Sequence, residues 1–242
     1  MKAILVSLRD ADDPMVEQER RCFEETSGLA RIDIVRASIE PLDRKVLDAD
    51  VVFFGGSGAY SVLDDVPWVR RAVDFLTEVV EAQTPAWASC FGYQGLALAL
   101  GGEVVHDMDR QRLGVYRIHR EPSGDPLFSV LPPTFYAQLG HHDHVDRLPE
   151  GVTVLATGDE GKPEAFRVNG SNFWGAQFHP ELDKHSTYER FQFYRSHYAP
   201  EKGDEIDRQM LAAPETPEAA RILQEIVAFA RERGRLRGTL PS

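Results

Sequence analysis

The chain has 242 residues, carries 27 Lys and Arg against 39 Asp and Glu, and contains two cysteines. This length suits one large α/β domain and excludes two separate enzymes in one chain. The net charge of −12 disfavours nucleic acid and anionic membranes as partners, because both present negative charge. Two cysteines in a chain of this length do not indicate a disulfide framework.

The first apolar run, residues 3–8, is too short for the core of a signal peptide or for a membrane span. Glycine or charged residues interrupt the other apolar stretches within a few positions. We therefore predict a cytoplasmic protein that does not enter a membrane.

Short apolar runs alternate with amphipathic helical patterns over the first hundred residues. Such alternation usually folds as a parallel sheet with helices on both faces. We predict a three-layer α/β sandwich with a mostly parallel central sheet. Strands are predicted at 3–8, 32–39, 51–54 and 85–89, and helices at 15–26, 68–83 and 94–100.

The second half of the chain is richer in predicted strands, which Gly and Pro turns separate. Helical patterns return near the C-terminus, at 188–210 and in the amphipathic run 219–233. We predict a single domain over 1–242, with 187–242 forming a helical C-terminal extension. The further strands are predicted at 103–106, 115–119, 135–139, 152–156, 165–168 and 173–178.

Cys90 lies where an apolar strand pattern ends and a helical pattern begins. A strand-to-helix turn projects a side chain from the sheet edge, and a helix N-terminus favours a thiolate. The backbone N–H of Phe91 is then placed to face a developing oxyanion. Cys90 is therefore a candidate nucleophile, whereas Cys22, within a charged helix, is interpreted as structural.

His179 and Glu181 follow a second apolar strand, in the sequence His-Pro-Glu. A thiol nucleophile needs a base to exchange its proton, and the base needs a carboxylate to orient it. The Gly-rich loop after residue 54 lacks the lysine and spacing of a phosphate-binding loop. Such a loop could instead present a second N–H to an oxyanion.

Together these motifs resemble the class I (triad) glutamine amidotransferases, most closely stand-alone members similar to the glutaminase domain of GMP synthase. The resemblance runs from residue 2 to about 233. The motifs that carry it are Gly55-Gly56, Asp65-Val66-Pro67-Trp68, Ser89-Cys90-Phe91-Gly92-Tyr93-Gln94, Leu113-Gly114, His141-x-Asp143-x-Val145, Leu148-Pro149-x-Gly151 and Gln177-Phe178-His179-Pro180-Glu181.

The resemblance implies the flavodoxin-like class I glutaminase fold and a triad of Cys90, His179 and Glu181. It assigns the oxyanion donors to the backbones of Gly56 and Phe91. Glutamine would be the substrate, with no cofactor, and ammonia would pass to an acceptor on a separate synthetase, since the chain itself has no P-loop.

Two positions depart from the family pattern. Ala88 replaces a glycine two residues before the nucleophile, and catalysis should survive the added methyl group. In the segment 140–143, Gly140 replaces a serine or asparagine and His142 replaces a glycine, while Asp143 is retained. The resemblance makes Gln94 and the retained Asp143 candidate substrate-binding residues, with Asp143 facing a substrate ammonium. His142 is a third candidate, because its bulk, together with the missing side chain at Gly140, could alter the pocket for the amino-acid end of glutamine.

Alternative functions follow from these departures. The altered segment 140–143 also suits a γ-glutamyl peptide or γ-glutamyl amine hydrolase with the same triad, and a non-catalytic binding module is a third interpretation. Histidines and Asp143 at 141–144 could bind zinc, but neighbouring ligands without a separated one do not favour a metal site.

Two further features stay open. The histidines at 106, 119, 185 and 197 show no partner in the sequence and are expected to have no special role. The C-terminal extension could shield the active-site mouth, form a homodimer surface, or simply pack on its own domain.

Overall fold

A computed structural model of the protein describes residues 1–198, 203–236 and 238. The elements follow the predicted order, and a short helix α2, a strand β8 and a 3-10 turn at Met108–Arg110 have no predicted counterpart. The strands are β1 Ala3–Ser7, β2 Asp33–Arg36, β3 Val51–Phe54, β4 Ala86–Ser89, β5 Glu103–His106, β6 Arg112–Arg120, β7 Thr134–His141, β8 Asp143–Arg147, β9 Val152–Gly158, β10 Pro163–Val168 and β11 Phe173–Ala176. The helices are α1 Met15–Ser27, α2 Arg44–Leu47, α3 Pro67–Ala82, α4 Phe91–Ala99, α5 Lys184–Phe193, α6 Arg195–Tyr198, α7 Gly203–Ala212 and α8 Pro217–Leu236.

The central sheet has nine strands in the order β2-β1-β3-β4-β11-β10-β9-β6-β7. The five strands from β2 to β11 run parallel, and β10, β9, β6 and β7 continue the sheet in antiparallel pairing. Strands β3, β4 and β11 are therefore direct neighbours with the same direction. Their carboxyl ends meet at one edge of the sheet.

Alternate residues of the parallel strands face two separate apolar cores, as period-two side-chain geometry requires. Ile4 and Val6 pack with helices α3 and α4, whereas Ala3 and Leu5 pack with α1 and α8. Every residue of β3 is buried, because helices cover both faces of the sheet. This arrangement confirms the predicted α/β sandwich with flanking helices.

Several boundaries and pairings differ from the sequence-based expectations. Helix α4 begins at Phe91, three residues earlier than predicted, so it starts directly after Cys90. Strand β5 does not join the central sheet but pairs antiparallel with β8 in a two-stranded sheet. The predicted helix at 188–210 is divided into α5, α6 and α7, and its residues 199–202 lie outside the described part of the chain.

Within the described ranges, none of the helices has the length and apolar character needed to cross a bilayer.

Candidate active site

Three loops form the candidate site, each following one of the neighbouring parallel strands β3, β4 and β11. Gly55 and Gly56 follow β3, Cys90 follows β4, and His179 lies three residues beyond β11. A Cβ built on Gly56 would lie 2.8 Å from His179 Cε1 and 3.8 Å from Cys90 Cβ. The sheet topology thus brings together three residues that are far apart in sequence.

Cys90 occupies a strained turn between β4 and α4. Its φ of 49° and ψ of −101° lie in a region that non-glycine residues rarely adopt. The backbone N–H of Cys90 donates to the carbonyl of Ala176, which ties the turn to β11. Phe91 is the first residue of α4, where a backbone N–H has no acceptor within the helix.

His179 and Glu181 form a buried pair beside the cysteine. The Nδ1 atom of His179 lies 2.6 Å from Glu181 Oε1. The other carboxylate oxygen, Oε2, accepts a hydrogen bond of 2.9 Å from the hydroxyl of Ser89, which in turn accepts from Trp87 Nε1. Both carboxylate oxygens are therefore held in place, and the orientation of the imidazole is fixed.

The charges of this pair depend on one another. Burial lowers the pKa of His179, but the Glu181 carboxylate and hydrogen bonds to Cys90 and Glu181 outweigh burial and raise the pKa to about 9. Burial raises the pKa of Glu181, but the His179 imidazolium and the Arg190 guanidinium reverse that effect and leave the pKa lowered. At neutral pH the pair is an imidazolium next to a carboxylate.

Arg190 of helix α5 contacts this pair. Its side chain is only 9% exposed, and Nη1 lies 3.7 Å from Glu181 Oε1 and 3.8 Å from Glu19 Oε1. The Nε and Nη2 atoms donate to the side-chain oxygen of Gln18. Sequence analysis assigned no role to Arg190, because its contacts with α1 require the tertiary fold.

Glu19 contacts the glycine loop directly. Its buried carboxylate accepts a hydrogen bond of 3.1 Å from the backbone N–H of Gly56 and two from the Arg9 guanidinium. A Cβ on Gly55 would lie 2.5 Å from the Glu19 carboxylate, so this position has no room for a side chain. The Gly56 N–H is therefore bonded to Glu19 in this structure.

A cleft of about 460 Å³ opens beside Cys90 and is lined by the candidate residues Gln94, His142 and Asp143. The amide nitrogen of Gln94 donates to the carbonyl of Asp143 and to the side chain of Gln177. Gln177 Nε2 lies 3.6 Å from Cys90 Sγ. The nucleophile and the cleft wall are thus joined by a chain of side-chain amides.

Asp143 forms the polar end of this cleft and has two side-chain partners. Ser61 Oγ donates to Oδ2, and His106 Nδ1 lies 2.7 Å from Oδ1. His106, for which the sequence showed no partner, contacts Asp143 because the antiparallel pairing of β5 with β8 sets the two residues opposite each other. His142 is fixed by a contact between its Nε2 and the side-chain nitrogen of Gln111.

Within residues 1–198, 203–236 and 238, His, Cys, Asp and Glu do not form any group of three or more that could hold a metal ion. Cys22 and Cys90 are both free thiols.

The chain is similar to known proteins in sequence and in fold. The family model for glutamine amidotransferase class-I matches residues 8–195. The chain is 33% identical to a glutamine-hydrolysing GMP synthase subunit of Sulfurisphaera tokodaii, over 57% of this chain and 70% of that protein. It is 32% identical to the Methanocaldococcus jannaschii protein of the same name, over 52% and 66% of the two chains.

Solved structures show the same fold over nearly the whole chain. A glutamine amidotransferase from Thermotoga maritima superposes with a TM-score of 0.70 at 19% identity, covering 95% of this chain and 97% of that one. A glutamine amidotransferase from Methylobacillus flagellatus gives 0.66 at 20% identity, covering 98% and 93%. The chain belongs to the class I glutamine amidotransferase family and is a glutamine-hydrolysing enzyme.

Proposed function

We propose that Cys90 performs this hydrolysis as a nucleophile, with His179 and Glu181 as its partners. With the proton of the Cys90 thiol held on His179, the sulfur attacks the side-chain carbonyl carbon of glutamine, the C–N bond breaks, and His179 gives that proton to the departing nitrogen, which leaves as ammonia. Water then attacks the γ-glutamyl thioester, His179 takes a proton from this water, and the C–S bond breaks, which releases glutamate and returns Cys90 and His179 to their starting state. The observation that carries this proposal is the 2.6 Å contact between His179 and Glu181 beside the strained Cys90 turn.

Stabilisation of the oxyanion is assigned to the backbone of Phe91 and Gly56. The Phe91 N–H stands at the first turn of α4, where the helix dipole also favours negative charge. The Gly56 N–H is bonded to Glu19 at 3.1 Å, so its peptide must turn away from Glu19 before it can serve an oxyanion. Formation of the thioester would then involve a local rearrangement of the glycine loop.

The amino-acid end of glutamine is placed in the cleft beside Cys90. Its ammonium would join Ser61 and His106 as partners of the Asp143 carboxylate. His142 and Gln94 line the same cleft and would contact the bound glutamine. A buried carboxylate strongly favours a cationic group, so Asp143 would select an α-amino acid over a simple amide.

The released ammonia is proposed to pass to a separate synthetase partner in the cytoplasm. This part of the proposal is supported by the two GMP synthase relatives, each of which is named as one subunit of that enzyme. We assign binding of the molecule that accepts the ammonia to this partner protein.

Trapping of the covalent intermediate tests the proposal. The protein is incubated with glutamine, quenched in acid and analysed by intact-mass spectrometry, followed by peptide mapping. We expect a mass increase equal to a γ-glutamyl group on the peptide that contains Cys90, and no increase on the peptide that contains Cys22. Ammonia and glutamate should form in equal amounts. Steady turnover of glutamine by a Cys90→Ser variant at the wild-type rate would refute the proposed nucleophile.

A further inference from the structure

The active-site geometry divides the space around the triad into two compartments. Cys90 lines the open cleft of about 460 Å³, whereas His179 lines a separate cavity of about 40 Å³. The two compartments share Ser57 and Gly140 as a boundary. Because His179 must give its proton to the departing nitrogen, that nitrogen leaves on the side of the smaller cavity.

Helices α5 and α7 of the C-terminal extension form one wall of this smaller cavity. Met210 of α7 and Phe191 of α5 line it and are 5% and 3% exposed. Both belong to one apolar cluster, against which Leu113 of β6 packs. We call the cavity bounded by His179, Leu113, Phe191 and Met210 the leaving-group chamber.

The volume of the leaving-group chamber limits the size of the amine that departs when the amide bond of the substrate breaks. One water-sized position requires about 10–15 Å³ of such volume, so 40 Å³ accommodates about three non-hydrogen atoms. Ammonia has one such atom, and ethylamine has three. A butylamine group or an amino acid exceeds this volume and would meet the apolar wall in which Met210 and Phe191 pack together.

We propose that Met210 and Phe191 are specificity-determining residues that restrict the leaving group to ammonia and very small amines. This inference rests on the proposed function, because it takes His179 as the proton donor. It gives the extension a chemical role, since α5 and α7 supply the wall that distinguishes glutamine from larger γ-glutamyl amides. The cleft beside Cys90 receives the glutamyl part, and the leaving-group chamber receives the nitrogen and its substituent.

A series of γ-glutamyl amides of increasing length tests the inference. The values of kcat/KM are measured for glutamine, γ-glutamylethylamide and γ-glutamylbutylamide with the wild-type protein and with Met210→Ala. We expect the wild type to hydrolyse the butylamide at least about a hundredfold less efficiently than glutamine. Met210→Ala should raise the ratio of kcat/KM for the butylamide to kcat/KM for glutamine at least about tenfold.

Two control variants separate the effect of side-chain size from an effect on stability, and a third variant repeats the test at another residue of the wall. Met210→Leu keeps a similar volume and should retain the wild-type ratio, and Leu211→Ala removes a neighbouring side chain that is 57% exposed and should also retain it. Phe191→Ala opens the same wall from α5 and should relax the ratio as Met210→Ala does, which provides a second route if one variant unfolds.

Three outcomes would count against the inference. Equal wild-type efficiency on glutamine and the butylamide, or an unchanged ratio in both Met210→Ala and Phe191→Ala, would overturn the role of the wall while leaving the proposed glutaminase chemistry intact. Failure of the wild type to hydrolyse glutamine at all would overturn the proposed function together with this inference.

Discussion

Replacement of Arg190 by methionine tests how much the buried charge of this residue stabilises the pair formed by His179 and Glu181. Arg190 lies 3.7 Å from Glu181 and 3.8 Å from Glu19, and all three side chains are at least nine-tenths buried. Unit charges about 4 Å apart attract by about 4 kcal/mol at an effective dielectric constant of about 20. Removal of one partner from a buried ion pair costs about 3–5 kcal/mol, because the remaining charges lose their compensation.

We therefore expect Arg190→Met to lower the free energy of unfolding by about 3 kcal/mol at pH 7. The variant should also change the acid limb of the pH–rate profile. Arg190 helps to lower the pKa of Glu181, so its loss raises that pKa and moves the acid limb to higher pH. The stability that ionised Glu181 contributes is present above its unfolded pKa and is lost as pH falls through the folded value.

The assay combines urea unfolding at pH 7 and pH 5 with kcat measured from pH 4 to pH 10. Arg195→Met is the matched control, because Arg195 pairs with Asp204 and Asp207 at the surface and does not contact the triad. The control should leave both the stability and the pH profile nearly unchanged. An Arg190→Met protein with wild-type stability and an unmoved acid limb would refute the reasoning.

Three further predictions concern the triad and its surroundings. Burial raises the pKa of Cys22 to about 11, so only about one in a thousand of its thiols is ionised at pH 8. Iodoacetamide should therefore modify Cys90 before Cys22, as measured by peptide mapping. Faster labelling of Cys22 would contradict the prediction that its thiol is unreactive. Gly56→Ala should reduce kcat at least about a hundredfold with little change in circular dichroism, because the new Cβ would lie 2.8 Å from His179 Cε1; wild-type kcat would contradict the close approach. The raised pKa of His179 predicts an alkaline limb of kcat near pH 9, where the proton donor is lost, and Glu181→Gln should move that limb to lower pH as measured by ammonia release. An unmoved limb would show that Glu181 does not stabilise the proton on His179.

The fold was predictable where local pattern and burial agree. Strands β1, β3 and β4 are short apolar runs in the sequence because helices cover both faces of the sheet. Helix α3 has apolar residues at helical spacing and Pro67 in its first turn. The sequence predicted that Cys90 and His179 each follow a strand, and the chemistry of a thiol nucleophile together with the family resemblance paired them. That β4 and β11 are direct neighbours, which brings the two residues to one edge of the sheet, is shown by the structure.

The remaining features depend on contacts between distant parts of the chain. Glu19 reaches Gly56 because α1 packs beside the loop after β3, and no spacing in the sequence indicates that contact. His106 meets Asp143 through the pairing of β5 with β8, which the sequence pattern did not reveal. Arg190 acquires its role only when α5 folds back onto α1. Ion pairs and hydrogen bonds between distant parts of the chain leave no recognisable pattern in the local sequence.

Ammonia release from glutamine by the wild type, Cys90→Ala and Cys22→Ala tests the central claim most directly. We expect steady release by the wild type and by Cys22→Ala, and a loss of about 10⁴-fold or more in Cys90→Ala, as when a covalent nucleophile is removed. Release by Cys90→Ala at a rate close to that of the wild type would show that Cys90 is not the nucleophile.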